Sequence, residues 1–211
     1  MKRPVVYGSD YSVYVRIVRL ALEEKGIDYE LVPVDIFADT PPAFYRGLQP
    51  FGRIPAFEHH GFSLYETGAL TRYIDEAFDG PALMPATAQE RARVNQIISI
   101  ADNYAYPNLV WGYYVELISK PAAGDAPDEQ KMEEARRMTR LCLDAISELA
   151  GPLPWLAGGT IGLADLYLAP MVDYFLKAAE AREAFGPRPR LTAWWEAVSQ
   201  RPAMTATRPS V

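Results

Sequence analysis

The first eighty residues alternate short β-branched runs with amphipathic stretches. Val5-Val6-Tyr7 and Tyr29-Glu30-Leu31-Val32-Pro33-Val34 are rich in strand formers and predict two strands. Between them, residues 13–25 carry Ile17, Val18, Ala21 and Leu22 on one helical face. Arg19 and Glu23 are four apart, the spacing of a helical ion pair, and Gly26 supplies the stop. A βαβ unit follows, its strands set parallel by a right-handed crossover. The runs 54–58 and 62–65 flank His59-His60-Gly61 as the arms of a hairpin, and 66–78 is predicted helical.

Residues 79–86 are rich in breakers and lack a periodic apolar face, which marks a linker. Beyond it the strand pattern stops. Helices are expected over 87–120, 127–150, 162–179 and 191–200, separated by Pro121-Ala122-Ala123-Gly124 and Gly151-Pro152-Leu153-Pro154. The expected architecture is an α/β thioredoxin-like domain over 1–80 in the order βαβ, helix, ββα, a linker over 81–88, and an all-α helical bundle over 89–211.

Composition narrows the functional classes. The chain has 211 residues, 49% of them hydrophobic, which suits a packed core without disulfides. Its net charge of -6 and the lack of a Lys/Arg block argue against nucleic acid as a partner. No apolar run has the length of a bilayer span or a secretory signal, so a soluble, unprocessed chain is expected. The lone Cys142, between Leu141 and Leu143, suits a buried position in a protein of the reducing cytosol. His59 and His60 read as a solvated turn, since adjacent residues seldom converge on one ion, and no metal is expected.

Four motifs carry chemistry or core structure. In Tyr7-Gly8-Ser9-Asp10-Tyr11-Ser12-Val13-Tyr14-Val15-Arg16 a strand end passes through a polar loop into a helix. Ser12, read locally, suits capping of free backbone N–H groups, and its hydroxyl stands beside the positive helix end. Tyr7, Ser9 and Tyr11 are rival hydroxyls. Gln49-Pro50-Phe51-Gly52-Arg53-Ile54-Pro55-Ala56-Phe57 leads into the third strand. Glu66-Thr67 opens a helix and, read alone, is a capping feature. Leu156-Ala157-Gly158-Gly159-Thr160-Ile161-Gly162-Leu163-Ala164-Asp165 has a folding role, with Gly162 where a capping box would hold Ser or Thr, so a weaker helix start is expected.

Together these motifs, with Leu191-Thr192-Ala193-Trp194-Trp195 and Arg201-Pro202-Ala203-Met204, resemble the cytosolic glutathione transferases over nearly the whole chain. The likeness is to serine-type, bacterial members similar to the phi and zeta kinds. It implies a cytoplasmic detoxification enzyme and homodimer, with glutathione as cosubstrate and a small hydrophobic electrophile as its other substrate. It implies Ser12 as the group that activates the thiol. It also implies that Pro55 follows a cis peptide, with the Ile54 backbone meeting the cysteinyl part of glutathione and Arg53 among the glutathione-binding residues, and that Glu66 and Thr67 hold its γ-glutamyl end. The family's usual Asn is Gln49 here. No cysteine falls in residues 8–16, which removes the nucleophile of redox and mixed-disulfide relatives.

Tyr104, Tyr106, Trp111, Tyr113 and Tyr114 cluster around Pro107, which is expected to kink the helix that carries them. Such stripes form cores, yet in the family this helix faces the cleft between domains. Tyr104, Tyr106, Trp111 and Tyr114 are accordingly candidates for the electrophile pocket. The alternative functions are a glutathione-dependent isomerase or dehalogenase, and a non-catalytic carrier of hydrophobic ligands.

Overall fold

The computed structural model describes residues 3–38, 42–151 and 154–210, so part of the 151–154 punctuation lies outside the described residues. The chain forms two compact units, Met1–Met84 with Arg201–Val211, and Pro85–Gln200.

The first unit holds β1 (Val5–Tyr7), α1 (Val13–Glu24), β2 (Glu30–Val32), α2 (Tyr45–Leu48), β3 (Ala56–His59), β4 (Phe62–Tyr65) and α3 (Thr67–Ala77). Its sheet has the order β2-β1-β3-β4. β1 is parallel to β2 and antiparallel to β3, and β3 is antiparallel to β4. This is the expected thioredoxin-like domain. Prolines trim two of the strands: β2 ends before Pro33 and β3 begins after Pro55, since neither residue can donate to a ladder. Val6 and Phe57 of the sheet, Ile17, Leu20 and Leu22 of α1, and Leu70 and Ile74 of α3 are all but fully buried and form the core.

Two expectations for this unit are corrected. Arg19 pairs with the Tyr29 hydroxyl at 3.0 Å and with the carbonyls of Thr207 and Ala206 at 3.3 and 3.2 Å, rather than with Glu23. The cause is α10 (Pro202–Ala206), which packs on the face of α1 that sequence periodicity left to solvent. Residues 201–211, assigned to the helical half from sequence, therefore belong to the first unit. Buried cations on α1 hold the carbonyls at the end of α10, a bond pattern that no local periodicity encodes. The breaker-rich stretch is tied down here too: Asp75 accepts from Leu83 and Met84 N–H at 2.6 and 3.1 Å, and Lys25 Nζ donates to Pro81 O at 3.2 Å.

The second unit is all-helical. α4 (Ala88–Ile100) continues as a wide helix (Ala101–Ser119) and α5 (Lys120–Ala122), followed by α6 (Glu129–Leu149), α7 (Leu163–Phe175), α8 (Ala179–Phe185) and α9 (Pro189–Ser199). The wide helix winds with i→i+5 bonds around Pro107, whose ring would clash with a carbonyl in a tighter turn. The proline is accommodated by widening the turns. Gly112 lets α6 approach closely, since a Cβ there would lie 2.4 Å from that of Ala135. α7 is buried at every residue except Asp173 and is the core of the unit.

The start of α7 is firmer than the missing hydroxyl at Gly162 suggests. Asp165 accepts from Gly162 N–H and Leu156 N–H, each at 2.8 Å, and from the Trp194 indole at 2.9 Å. One carboxylate replaces the reciprocal box and ties the preceding loop and α9 to the core helix. Among the described residues no helix is long and apolar enough to cross a membrane.

Candidate active site

The loop from Gly8 to Ser12 joins β1 to α1 and carries three of the four candidate hydroxyls. Gly8, at φ 154°, permits the close approach that builds it: a Cβ there would meet Val15 Cγ2 at 2.4 Å and Ile54 Cβ at 3.2 Å. The sequence reading assigned Gly8 no role; an isolated glycine at a strand end was the available sign. A turn closes the loop, with Ser12 N–H donating to Ser9 O at 3.1 Å.

The four hydroxyls stand in different surroundings. Ser9 Oγ donates to Val34 O at 2.7 Å, and Tyr11 OH donates to Asp35 Oδ1 at 2.9 Å, so both protons are engaged. Ser12 is the N-cap of α1, its Oγ accepting from Val15 N–H at 3.4 Å. Capping uses a lone pair and leaves the hydroxyl proton, for which the described residues offer no acceptor. Ser12 can thus cap and donate at once. Tyr7 lies on β1, edge-on to Phe44; burial and the carboxylates of Glu58 and Glu30 raise its phenol pKa. Those neighbours weaken it as a donor and would oppose a second anion beside it.

The second segment is held from within. Gln49 is buried, and its Oε1 accepts from Phe51 N–H at 2.7 Å and Arg53 N–H at 3.3 Å, so the longer side chain closes the loop. Tyr45 OH donates to Arg53 O at 2.8 Å, while the Arg53 residue is exposed. The Ile54–Pro55 peptide is cis. Ile54 N–H and C=O lie outside the ladder and pair with no other backbone group among the described residues.

At the mouth of α3, Glu66 is the N-cap residue, with φ 71° and no capping bond from its side chain. A non-glycine residue in this left-handed region is uncommon, and it leaves the carboxylate exposed beside the first amides of α3. Thr67 is buried, and its carbonyl accepts from Thr71 Oγ1 at 2.9 Å.

In the second unit, Tyr104 and Trp111 are about half exposed on the wide helix. Tyr106 is partly buried. Tyr114 packs edge-on against Tyr174, with Lys177 Nζ 5.3 Å from its ring centre. Tyr113 is a core residue, packed on Phe175. His59 Nδ1 lies 2.9 Å from Tyr73 OH, and its ring packs against Phe78. Burial pushes the Cys142 thiol up to about 12.

A thioredoxin-like domain with a cis-proline loop and a polar helix mouth is joined in sequence to an all-helical unit, and that combination defines the class of two-part chains to compare with. Comparison with known proteins is specific: residues 6–82 match the glutathione S-transferase N-terminal domain and residues 115–202 the C-terminal domain of the same family. Glutathione S-transferase F13 of Arabidopsis thaliana is 32% identical, the match covering 98% of this chain and 95% of the relative. Glutathione S-transferase 3 of Zea mays is 33% identical, over 96% of this chain and 91% of its own length. The solved structure of glutathione S-transferase III in apo form has a TM-score of 0.85 at 33% identity, covering 98% of this chain and 95% of its own. Glutathione transferase F7 from Populus trichocarpa gives 0.83 at 30%, covering 97% of each chain. The chain belongs to the glutathione S-transferase family.

Proposed function

We propose that the protein is a serine-type, phi-like glutathione S-transferase that activates the glutathione thiol with Ser12 for attack on a small hydrophobic electrophile. The observation that carries this reading is the Ser12 hydroxyl: it stands at the positive end of α1 with its proton unengaged, while Ser9 and Tyr11 are bonded elsewhere. A hydroxyl donor and a helix N-terminus both favour thiolate over thiol.

The residues present fit the tripeptide. Ile54 offers N–H and C=O to an extended peptide in the manner of an added strand, with Pro55 and Arg53 flanking it. The exposed Glu66 carboxylate can meet an α-ammonium, and the Thr67 amide and hydroxyl an α-carboxylate. Gln49 fixes the loop on which Arg53 and Ile54 sit. For the electrophile, Tyr104, Tyr106, Trp111 and Tyr114 supply ring surface, Tyr104 and Trp111 through their exposed faces. The glutathione thiol gives its proton to solvent, and its sulfur then bonds to the electrophilic carbon as that carbon's bond to a leaving group breaks and the leaving group departs with the electron pair; Ser12 loses no proton and steadies the thiolate until it reacts.

A cytoplasmic homodimer with a detoxification role completes the proposal. Phe51, 68% exposed and edge-on to Tyr65, suits an apolar anchor between copies. The family resemblance suggests a bacterial source, whereas the curated relatives named above are plant enzymes.

Ultraviolet titration of the enzyme-bound thiolate tests the central claim. Loss of a donor to a developing anion costs about 2–4 kcal/mol, so Ser12→Ala raises the thiol pKa and lowers the rate at least about tenfold, while Tyr7→Phe changes both little. A raised pKa in Tyr7→Phe alone overturns the assignment.

A further inference from the structure

The face of α1 that follows Ser12 is clasped along its whole length by the segment Arg201–Ser210. At the far end of the helix, Arg201 Nε donates to Glu24 Oε1 at 3.0 Å. In the middle, the buried guanidinium of Arg16 donates to Met204 O at 3.1 Å, and Arg19 to Thr207 O and Ala206 O. Thr207, also buried, accepts from Arg16 Nε at 3.4 Å and donates to Ala203 O at 2.8 Å. The segment thus runs antiparallel to α1 and reaches the loop that precedes it. There Ser210 N–H and Ser210 Oγ both donate to Asp10 Oδ2, at 3.0 and 2.7 Å.

Asp10 occupies a corner of the turn closed by Ser12 N–H on Ser9 O. The other side of the same turn is fixed by Ser9 Oγ on Val34 O and Tyr11 OH on Asp35. The loop is therefore held from two directions: by the chain after β2, and by a strap whose own footing is two buried arginines. The strap bond is charge-assisted; the Ser210 hydroxyl holds the Asp10 carboxyl below the usual carboxylate range. A turn pinned at both sides limits the directions in which the hydroxyl at its exit can point, and aim decides what a donor contributes to an anion.

We propose that Asp10 is a positioning residue and that, through its two bonds to Ser210, the 201–210 segment sets the aim of the Ser12 hydroxyl on the bound thiol. The proposal rests on the reading of Ser12 as the activating donor. It makes no contact between Asp10 and substrate. It predicts that cutting the strap at its last bond lowers the thiolate fraction although no residue near the sulfur has changed.

The test compares the full-length wild type with Asp10→Ala, Ser210→Ala, Ser210→Thr, a chain ending at Pro209, that shortened chain carrying Asp10→Ala, and Ser12→Ala. Each is titrated by ultraviolet absorbance with glutathione bound and assayed for kcat and KM; circular dichroism checks folding. Asp10→Ala and the shortened chain should each lower kcat and the thiolate fraction about three- to tenfold with the KM for glutathione unchanged, as expected for a misaimed donor. Combined, they should cost no more than either alone. Ser210→Ala, which keeps the backbone bond, should fall between, and Ser210→Thr should retain wild-type behaviour. Removing a negative charge by itself would raise the thiolate fraction, so the sign separates positioning from a field effect. Unchanged thiolate in the shortened chain, additive losses, or a raised fraction in Asp10→Ala overturns the strap. If Ser12→Ala leaves the thiolate fraction unaltered, the underlying reading fails instead; if Ser12→Ala lowers it and the strap variants do not, the strap alone fails.

Discussion

Removal of the Asp165 carboxylate should destabilise the helical unit, and by an amount that grows as the pH falls. Asp165→Ala leaves three buried donors without an acceptor: Leu156 N–H, Gly162 N–H and the Trp194 indole. At about 2 kcal/mol for each orphaned donor the loss is about 6 kcal/mol. Against this stands the relief of a buried charge. Burial raises the Asp165 pKa from 3.8 to about 6, against the pull of those three bonds. At neutral pH the ionised group therefore costs about 3 kcal/mol relative to its unfolded state. The net destabilisation at pH 7 is about 3 kcal/mol. Because the folded pKa lies above the unfolded one, this group's stabilising contribution is complete below pH 3.8 and is lost as the pH rises through about 6. At pH 5 the folded wild type holds the proton and the unfolded chain does not, which adds about 1 kcal/mol to the wild type alone. Urea unfolding of both proteins at pH 7 and pH 5, followed by tryptophan fluorescence, should show the gap widen from about 3 to about 4 kcal/mol. A gap that narrows on acidification, or a loss below about 1 kcal/mol at pH 7, refutes the reasoning.

Other consequences are smaller in scope. Glu66→Ala should weaken glutathione binding by about 1.5–3 kcal/mol, the range for a hydrogen bond to a charged group, and unchanged affinity by calorimetry would remove Glu66 from the site. Gln49→Ala should cost about 1–3 kcal/mol of stability by leaving the Phe51 and Arg53 amides without their acceptor, and should raise the KM for glutathione as the Arg53–Ile54 loop loosens. Light scattering at micromolar concentration should report a dimer, twice the 23.6 kDa of one chain, and a monomer would sink that proposal.

Sequence alone carried the order of elements in the first unit, because each is written in local terms. Period-two and period-3.6 patterns mark β1, α1 and the hairpin; Pro33, Pro55 and Gly26 mark where ladders and helices stop. It also brought forward Ser12, Pro55 and Glu66-Thr67, since a polar loop before a helix, a proline before a strand and an acidic-hydroxyl pair at a helix start are short-range signals. It left Ser12 undecided between cap and donor. Only the tertiary structure showed that the two roles are compatible and that Ser9 and Tyr11 are engaged, because the acceptors lie on another element: Val34 and Asp35 are 25 and 24 residues away. The same reason governs the larger misreading. Arg19 and Glu23 have the spacing of an ion pair, yet Arg19 bonds to residues nearly 190 positions distant, and residues 201–210 join the first unit. Local spacing lists the partners a side chain could have along its own helix. Which face is buried, and therefore which partner it takes, is set by the element that packs there, and that follows from the energetics of the whole folded chain.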